Sequence, residues 1–131
     1  MPASNYVKNN SLAFWLKNQS VTQPAQLWVA LYATNPTGAD NGTEVSGGGY
    51  ARAQASFGTP AVSGDVSTVQ NTAPIEFPQL TAAAGTAYYV GIRDAKTGGN
   101  LLYYEALPTS QVLAAGYTPY FATGELKVTC K

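Results

Sequence analysis

The chain has 131 residues, of which 45% are apolar and only 11% are charged, less than half the roughly 25% of charged residues in an average soluble domain. Its seven basic residues are scattered and balanced by seven acidic ones, which excludes the clustered positive charge that a nucleic-acid partner needs. No apolar run approaches the roughly 20 residues that cross a bilayer, so we expect no membrane segment.

The length predicts a single domain that spans residues 1–131, because most domains contain about 100 to 150 residues. The first residues, Met-Pro-Ala-Ser-Asn, lack the basic and apolar regions of a signal peptide, which favours synthesis in the cytoplasm. The single cysteine, Cys130, has no partner for an internal disulfide. We interpret it as an ordinary strand residue, with a link between subunits as the alternative.

The shortage of charge is the main compositional clue. Charge repulsion helps to keep proteins apart in solution, so a free monomer with zero net charge would be poorly protected against self-association. We therefore expect partner molecules to cover much of the surface. The alternative is a small polar domain whose surface uses Ser, Thr, Asn, Gln and Gly instead of charges.

One helix is predicted, over about residues 5–18, with Ser4 or Asn5 in position to cap its first turn. Proline at position 24 ends this segment, because it lacks an amide hydrogen and disfavours helical geometry before it. The apolar residues of the helix are expected to cluster toward one side, and the large side chains of Phe14 and Trp15 must be covered by something. These apolar residues are Val7, Leu12, Phe14, Trp15 and Leu16.

The chain from about residue 26 to 131 has the pattern of short strands separated by turns. Residues 27–32 are apolar on both alternating faces, which predicts a central strand covered on both sides. The strongest hairpin pairs residues 87–93 with 101–106 through a turn-rich connector. Further strands are predicted at 50–57, 66–70, 75–77, 111–113, 117–122 and 125–130. The predicted fold class is mainly β, an antiparallel β-sandwich or jelly roll with one N-terminal α-helix.

A glycine-rich loop leads into the strand predicted at residues 50–57. Three consecutive glycines allow backbone conformations with positive φ or a close approach to a neighbour. They are Gly47, Gly48 and Gly49. Glu44 is positioned to pair with Arg52 across this loop, so the segment is interpreted as a structural loop.

Residues that support catalysis are scarce. The chain has no histidine, which removes the commonest general base and most transition-metal sites, and we expect no catalytic residue, no metal and no cofactor. The stretch 40–44 offers oxygen ligands but lacks the acidic spacing and the distal Glu of a complete calcium loop. A weak alternative is a glycosidase that uses two of the carboxylates of Glu76, Asp94 and Glu105.

Nine tyrosines and two tryptophans offer aromatic faces on which sugars could stack. Four of the tyrosines lie on the strong hairpin, at Tyr88, Tyr89, Tyr103 and Tyr104. Neighbouring residues of a strand point to opposite faces, so at most half of the four can line one surface. The simpler interpretation is that they fill the core and contacts between subunits.

Three segments, in chain order, carry a resemblance to a known family: LWVALYATNPT at 27–37, GTEVSGGGYAR at 42–52 and VGIRDAKTGGNLLY at 90–103. They resemble a family of small bacteriophage virion proteins that are described as tail-fibre-like or are encoded among structural genes. The resemblance spans nearly the whole chain. It implies a non-enzymatic structural protein of the virion, made in the host bacterial cytoplasm, with other virion proteins and copies of itself as partners.

The resemblance leaves the location on the particle open. We expect a multi-copy capsid decoration or cement protein, which would stabilise the shell by binding across adjacent subunits. The alternative is a tail-associated protein, in a tail fibre or baseplate, that contributes to the recognition of a host glycan or receptor. The residues expected to make assembly contacts are Tyr6, Phe14, Trp15, Tyr117 and Tyr120.

Overall fold

The computed structural model describes residues 1–130 and is mainly β, with one helix and antiparallel sheets, as the sequence predicts. The elements in chain order are α1 (Asn5–Leu16), β1 (Leu27–Tyr32), β2 (Ala53–Ala55), β3 (Ala61–Ser63), β4 (Val66–Gln70), β5 (Ile75–Glu76), β6 (Gly85–Arg93), β7 (Leu101–Leu113), β8 (Tyr120–Phe121) and β9 (Lys127–Cys130).

The largest sheet has four strands in the order β2-β1-β6-β7, so β1 is central. The residues of β1 alternate between two apolar clusters, since neighbouring strand residues point to opposite faces. Val29 and Leu31 belong to the main core, whereas Ala30 and Tyr32 pack with Leu101 on the other face. The prediction of a central strand covered on both faces is therefore confirmed.

Two smaller sheets, β3-β4-β9 and β5-β8, complete the β structure of the described residues. The main core gathers side chains from the four-stranded sheet, from the two-stranded sheet and from the segments between them, in agreement with the predicted β-sandwich. Its largest members include Leu31, Ile75, Phe77, Leu80, Leu113 and Phe121.

The hairpin of β6 and β7 is longer than the sequence predicts. The register shifts between the pairs Ala87 with Gln111 and Tyr89 with Ala106, so residues 107–110 form an irregular stretch within β7. The separate strand predicted at 111–113 is therefore the end of β7. The strand predicted at 50–57 is reduced to β2, and β3 was not predicted.

Helix α1 is attached to the sheet through the residues before it. The backbone N–H of Ser4 donates to the carbonyl oxygen of Leu102 at 2.8 Å, and Ala3 forms a β-bridge with Tyr103. The hydroxyl of Ser4 accepts a hydrogen bond from the N–H of Val7 at 3.2 Å, which caps the first turn as predicted. Because β7 is an edge strand, this segment covers part of its open edge.

The helix ends at Leu16 and not at about residue 18, because Asn18 has a φ of +53°, outside the helical range. None of its 12 residues is buried. Of its apolar residues, Val7 is half-buried against the cluster of Ile92, Leu102 and Val128, whereas Leu12, Phe14, Trp15 and Leu16 are exposed. Within residues 1–130, no helix combines the length and apolar character needed to span a membrane.

Candidate functional site

The glycine-rich loop is closed by an ion pair between Glu44 and Arg52. Arg52 donates from Nη2 to Oε1 at 2.7 Å and from Nε to Oε2 at 2.9 Å, a bidentate arrangement. Tyr50 donates its hydroxyl to Oε2 at 2.9 Å and accepts the N–H of Leu31 at 3.0 Å. The loop is thereby joined to β1, the central strand of the largest sheet.

The protonation states in this loop follow from burial and hydrogen bonding. Burial acts to raise the pKa of Glu44, but hydrogen bonds from Arg52 and Tyr50 outweigh it and hold the pKa below the ordinary value of 4.5. The hydrogen bond with Glu44 raises the pKa of Arg52. Burial raises the pKa of Tyr50 far above the ordinary value of 10.0, so its hydroxyl remains a donor.

A second ion pair joins the same long loop to β6. Arg93 donates from Nη1 and Nη2 to the two carboxylate oxygens of Asp40 at 2.8 and 2.9 Å, and Nη1 also reaches the hydroxyl oxygen of Tyr32 at 2.9 Å. Arg93 is only 7% exposed. Burial disfavours its charge, but the bonds to Asp40 and Tyr32 outweigh that effect and raise its pKa.

Both arginines also hold the connector between β6 and β7. Arg52 donates from Nη1 to the carbonyl oxygens of Ala95 and Gly98, each at 2.8 Å. Arg93 donates to the carbonyl oxygens of Gly98 at 3.2 Å and Gly99 at 2.9 Å. The two arginines therefore clamp the glycine-rich loop and the hairpin connector together.

The three consecutive glycines all have positive φ, at +88°, +61° and +80° for Gly47, Gly48 and Gly49. At Gly48 an added Cβ would lie far inside the contact distance of the Ala82 carbonyl oxygen, whereas at Gly47 it would meet nothing within 4 Å. The loop therefore needs glycine at position 48 for close approach as well as for backbone conformation.

This polar cluster has the character of a structural clamp. Asp40 and Glu44, the acidic residues of the stretch considered as a calcium loop, are each held by an arginine. In residues 1–130 no group of three or more His, Cys, Asp or Glu side chains is arranged to hold a metal ion. Within the same range, no buried side-chain nitrogen or oxygen lacks a hydrogen-bond partner.

The carboxylates considered for glycoside hydrolysis are separated. Asp94 accepts hydrogen bonds from the backbone N–H of Asn100 at 2.7 Å and from its side-chain amide at 3.1 Å, which closes the hairpin turn. Glu76 lies on β5 and Glu105 on β7, in different sheets. The three carboxylates therefore lie on three different elements, the hairpin turn, β5 and β7.

The four hairpin tyrosines do not form one platform. Tyr89 and Tyr104 pack against the small cluster around Tyr32, on one face of the sheet. Tyr103 packs against the cluster that contains Ile92, on the other face. Of the four, only Tyr88 is classed as exposed, at 49%. The structure therefore favours the packing interpretation for the other three.

The residues expected to make assembly contacts fall on two surfaces. Six of the ten exposed large apolar side chains in residues 1–130 lie on α1 or just after it, and we call them the helix patch. They are Tyr6, Leu12, Phe14, Trp15, Leu16 and Val21. Trp15 and Leu16 are exposed by 76% and 77%, and the rings of Phe14 and Trp15 meet edge to face at 5.0 Å.

The helix patch continues onto the sheet. An open groove of about 280 Å³ runs between α1 and β7, lined by Phe14 and Trp15 on one side and by Leu102 and Tyr103 on the other. Leu12 and Leu16, one helical turn apart, lie on a different side of α1 from Phe14. The helix therefore exposes apolar side chains on more than one side.

The second surface is a groove of about 260 Å³ near the C-terminal strands, which we call the C-terminal groove. Its lining includes Leu107, Pro108, Tyr117, Pro119, Tyr120 and Glu125. Tyr117 is half-buried, and its hydroxyl donates to the side-chain oxygen of Gln111 at 2.7 Å. Tyr120 is 53% exposed. The two tyrosines expected as contacts therefore share one groove.

Sequence reasoning missed several members of these sites. Leu12 and Leu16 were not selected as assembly contacts, although the lack of a consistent apolar stripe along α1 could have indicated their exposure. Arg93 was not singled out, because its partners Tyr32 and Asp40 lie 61 and 53 residues away in the chain. No local pattern in the sequence indicates contacts at such separations.

Comparison with known proteins adds one match. The family described as Podophage GP4 fiber I protein gp80 matches residues 2–129. No curated protein matches the chain. The matched residues include the ion pairs of Arg52 with Glu44 and of Arg93 with Asp40, the helix patch and the C-terminal groove.

Proposed function

The chain belongs to the podophage GP4 fiber I protein gp80 family, and from that membership we propose that it is a structural subunit of the tail fibre, held among its neighbours through the helix patch. The family assigns it to the structural proteins of the phage virion, which supports a non-enzymatic role. The finer placement in the fibre rests on the description of the family.

The exposure of α1 is the single observation that carries the assembly role. A helix of 12 residues is marginal in water by itself and normally depends on packing of an apolar face. Here no residue of the helix is buried, and its large apolar side chains face solvent. Apolar patches of this kind mark protein contacts.

Covering the exposed part of Trp15 is expected to contribute considerable free energy to association. An aromatic side chain buries roughly 150–250 Å², so covering the 76% of Trp15 that is exposed would remove on the order of 100–200 Å² from water. At about 25 cal/mol per Å² this corresponds to about 3 to 5 kcal/mol before the costs of association. Trp15 is therefore the strongest candidate for a residue that dominates the contact.

Capsid decoration, the role first expected from the sequence, uses the same kind of surface. A cement protein also binds its neighbours through uncovered apolar side chains and stabilises the assembled state by mass action. The description of the family favours the fibre over the capsid. Recognition of a glycan by the hairpin tyrosines has less support, because three of the four pack within the chain.

Copy number and position on the particle test the fibre proposal. Purified virions are analysed for copies of the chain per particle, and antibody labelling locates it under the electron microscope. A low copy number with labelling at the tail supports the proposal. Hundreds of copies distributed over the head would overturn it in favour of capsid decoration.

Incorporation of variants tests the role of the helix patch. Leu16→Ser and Val62→Ser form a matched pair, because the two side chains are 77% and 75% exposed but only Leu16 belongs to the patch. The double variant Leu16→Ser with Trp15→Ala, which also removes the most exposed ring of the patch, is expected to reduce incorporation into virions by at least about tenfold. Val62→Ser is expected to incorporate normally, and equal incorporation of both variants would contradict the role of the patch.

A further inference from the structure

We propose that the helix patch of one copy docks into the C-terminal groove of a second copy, so that the chain associates head to tail. This rests on the proposed function as a fibre subunit and specifies the partner of the helix patch. The two surfaces are separate on each copy, since no residue lines both the groove beside α1 and the C-terminal groove. One contact of this kind therefore leaves a free patch and a free groove.

The C-terminal groove has the capacity to receive side chains from the helix patch. A cavity of about 150 Å³ holds a benzene ring in another protein, and this groove measures about 260 Å³. Its lining of proline, leucine and tyrosine suits an aromatic or aliphatic side chain. Trp15 and Leu16, the most exposed members of the patch, are the natural occupants.

The charges of the two surfaces are complementary. Residues 1–39 contain Lys8 and Lys17 and no acidic residue. Residues 97–126, which supply most of the C-terminal groove, contain Glu105 and Glu125 and no basic residue. Glu125 lines the groove and is its one charged lining residue in the described structure. Opposite charges around an apolar contact select the partner and its orientation.

A further acidic residue lies beside the groove. Glu76 on β5 is paired in register with Tyr120 on β8, so the two side chains emerge on the same face of that sheet. The nearest basic residue along the chain is Lys127, on β9. Glu125 in the lining and Glu76 beside Tyr120 therefore place negative charge at the groove.

The same charges oppose direct pairing of two α1 helices. The first 39 residues of each copy carry the positive charges of Lys8 and Lys17 and no acidic residue to offset them. Like charges across a contact are unfavourable and suppress wrong partners. A contact of the patch with a different, acidic surface avoids this repulsion.

Mixing of two defective variants tests the head-to-tail contact. Trp15→Ala with Leu16→Ala removes the patch and keeps the groove, whereas Tyr120→Ala alters the groove and keeps the patch. Each full-length variant is purified, checked for a native circular dichroism spectrum and studied by sedimentation velocity, alone and as an equimolar mixture. Val62→Ser serves as the control, because its exposed side chain lies outside both surfaces.

The expected results separate a head-to-tail contact from a symmetric one. The parent chain and Val62→Ser form oligomers, and each defective variant alone associates about 30-fold more weakly or worse, as loss of a dominant contact residue requires. The mixture regains heterodimers, since the intact patch of one variant meets the intact groove of the other. A mixture that regains heterodimers but no larger oligomers supports the proposal, because the remaining patch and the remaining groove of each heterodimer are the defective ones.

Several outcomes would overturn it. A monomeric parent chain would show that the patch has another occupant. A Tyr120→Ala variant that associates as well as the parent chain would indicate a symmetric patch-to-patch contact. Two defective variants that form no heterodimer when mixed would show that the patch does not enter the groove. These failures are distinguishable from failure of the proposed function, because a chain that is monomeric in solution yet incorporates into tails through its helix patch would leave the fibre role intact.

Discussion

The carboxylate of Glu44 and the guanidinium of Arg52, eight residues apart, meet through two parallel hydrogen bonds at the two ends of the three-glycine turn. The side chain of Arg52 is 7% exposed and that of Glu44 is 26% exposed, so the pair is partly withdrawn from water. Arg52 also holds the hairpin connector through two carbonyl oxygens. Loss of either partner therefore affects two loops.

The first prediction concerns this ion pair. Glu44→Gln removes the negative charge and leaves the buried guanidinium of Arg52 without its counter-ion, so the free energy of unfolding should fall by about 1 to 3 kcal/mol. Asp65→Asn is the matched control, because Asp65 lies in an exposed turn between β3 and β4 and should change stability by less than about 0.5 kcal/mol. Urea unfolding of both variants at pH 7 provides the measurement, and equal stabilities would contradict the structural role of the pair.

The second prediction is the pH dependence of stability. The folded-state pKa of Glu44 is lowered below 4.5, so the folded state favours its ionised form. The associated stability is fully present above the unfolded-state value of about 4.3 and is lost as the pH falls through the lowered folded-state pKa. The parent chain should therefore lose stability below about pH 4.5, and Glu44→Gln should lose less over the same interval.

Thermal unfolding between pH 7 and pH 2.5 measures this difference. The gap in stability between the parent chain and Glu44→Gln should be constant above about pH 5.5 and should narrow as the pH decreases. A gap that stays constant down to pH 2.5 would mean that Glu44 does not titrate differently in the folded state.

The third prediction compares the loss of stability caused by alanine at two neighbouring glycines. Gly47→Ala and Gly48→Ala both place a side chain at positive φ, which costs about 1 kcal/mol. Only at Gly48 does the added methyl group collide with a backbone carbonyl, that of Ala82. Gly48→Ala should therefore cost at least about 2 kcal/mol more than Gly47→Ala. Chemical denaturation measures both, and equal losses would show that the close approach is not required.

The parts of the fold that sequence could predict are those determined by local pattern. The strong hairpin follows from turn residues between two alternating segments, and β1 follows from apolar residues on both faces. The strand predicted from Tyr50 failed at its start, because Tyr50 extends its hydroxyl to Glu44 and to the backbone of Leu31 and does not join a ladder there. Non-local contacts decided that outcome.

The candidate sites likewise contain residues that the sequence could predict and contacts that depend on the fold. Tyr6, Phe14 and Trp15 could be selected from the sequence because large aromatic residues on a short helix need cover. That the chain itself does not provide this cover is a tertiary result, since it depends on where α1 leaves the sheet at Ser4. The link between Arg93 and Asp40 also depends on the folded path of the long loop and has no local signature.

The last prediction contrasts an aromatic residue of the core with one of the helix patch. Phe77 is 2% exposed and packs beside Tyr50 and Phe121, so Phe77→Ala should lower the free energy of unfolding by about 3 to 5 kcal/mol. Trp15 is 76% exposed, so Trp15→Ala should change it by no more than about 0.5 kcal/mol under conditions in which the chain is monomeric.

The same two variants should behave in the opposite way in assembly. Trp15→Ala should keep the stability of the folded chain while weakening its association with neighbours, because the indole contacts little within its own chain. Unfolding experiments on dilute protein and incorporation into virions measure the two effects separately. A large loss of monomer stability in Trp15→Ala would show that the indole is packed within the chain in solution, and the helix patch would then not be a free surface.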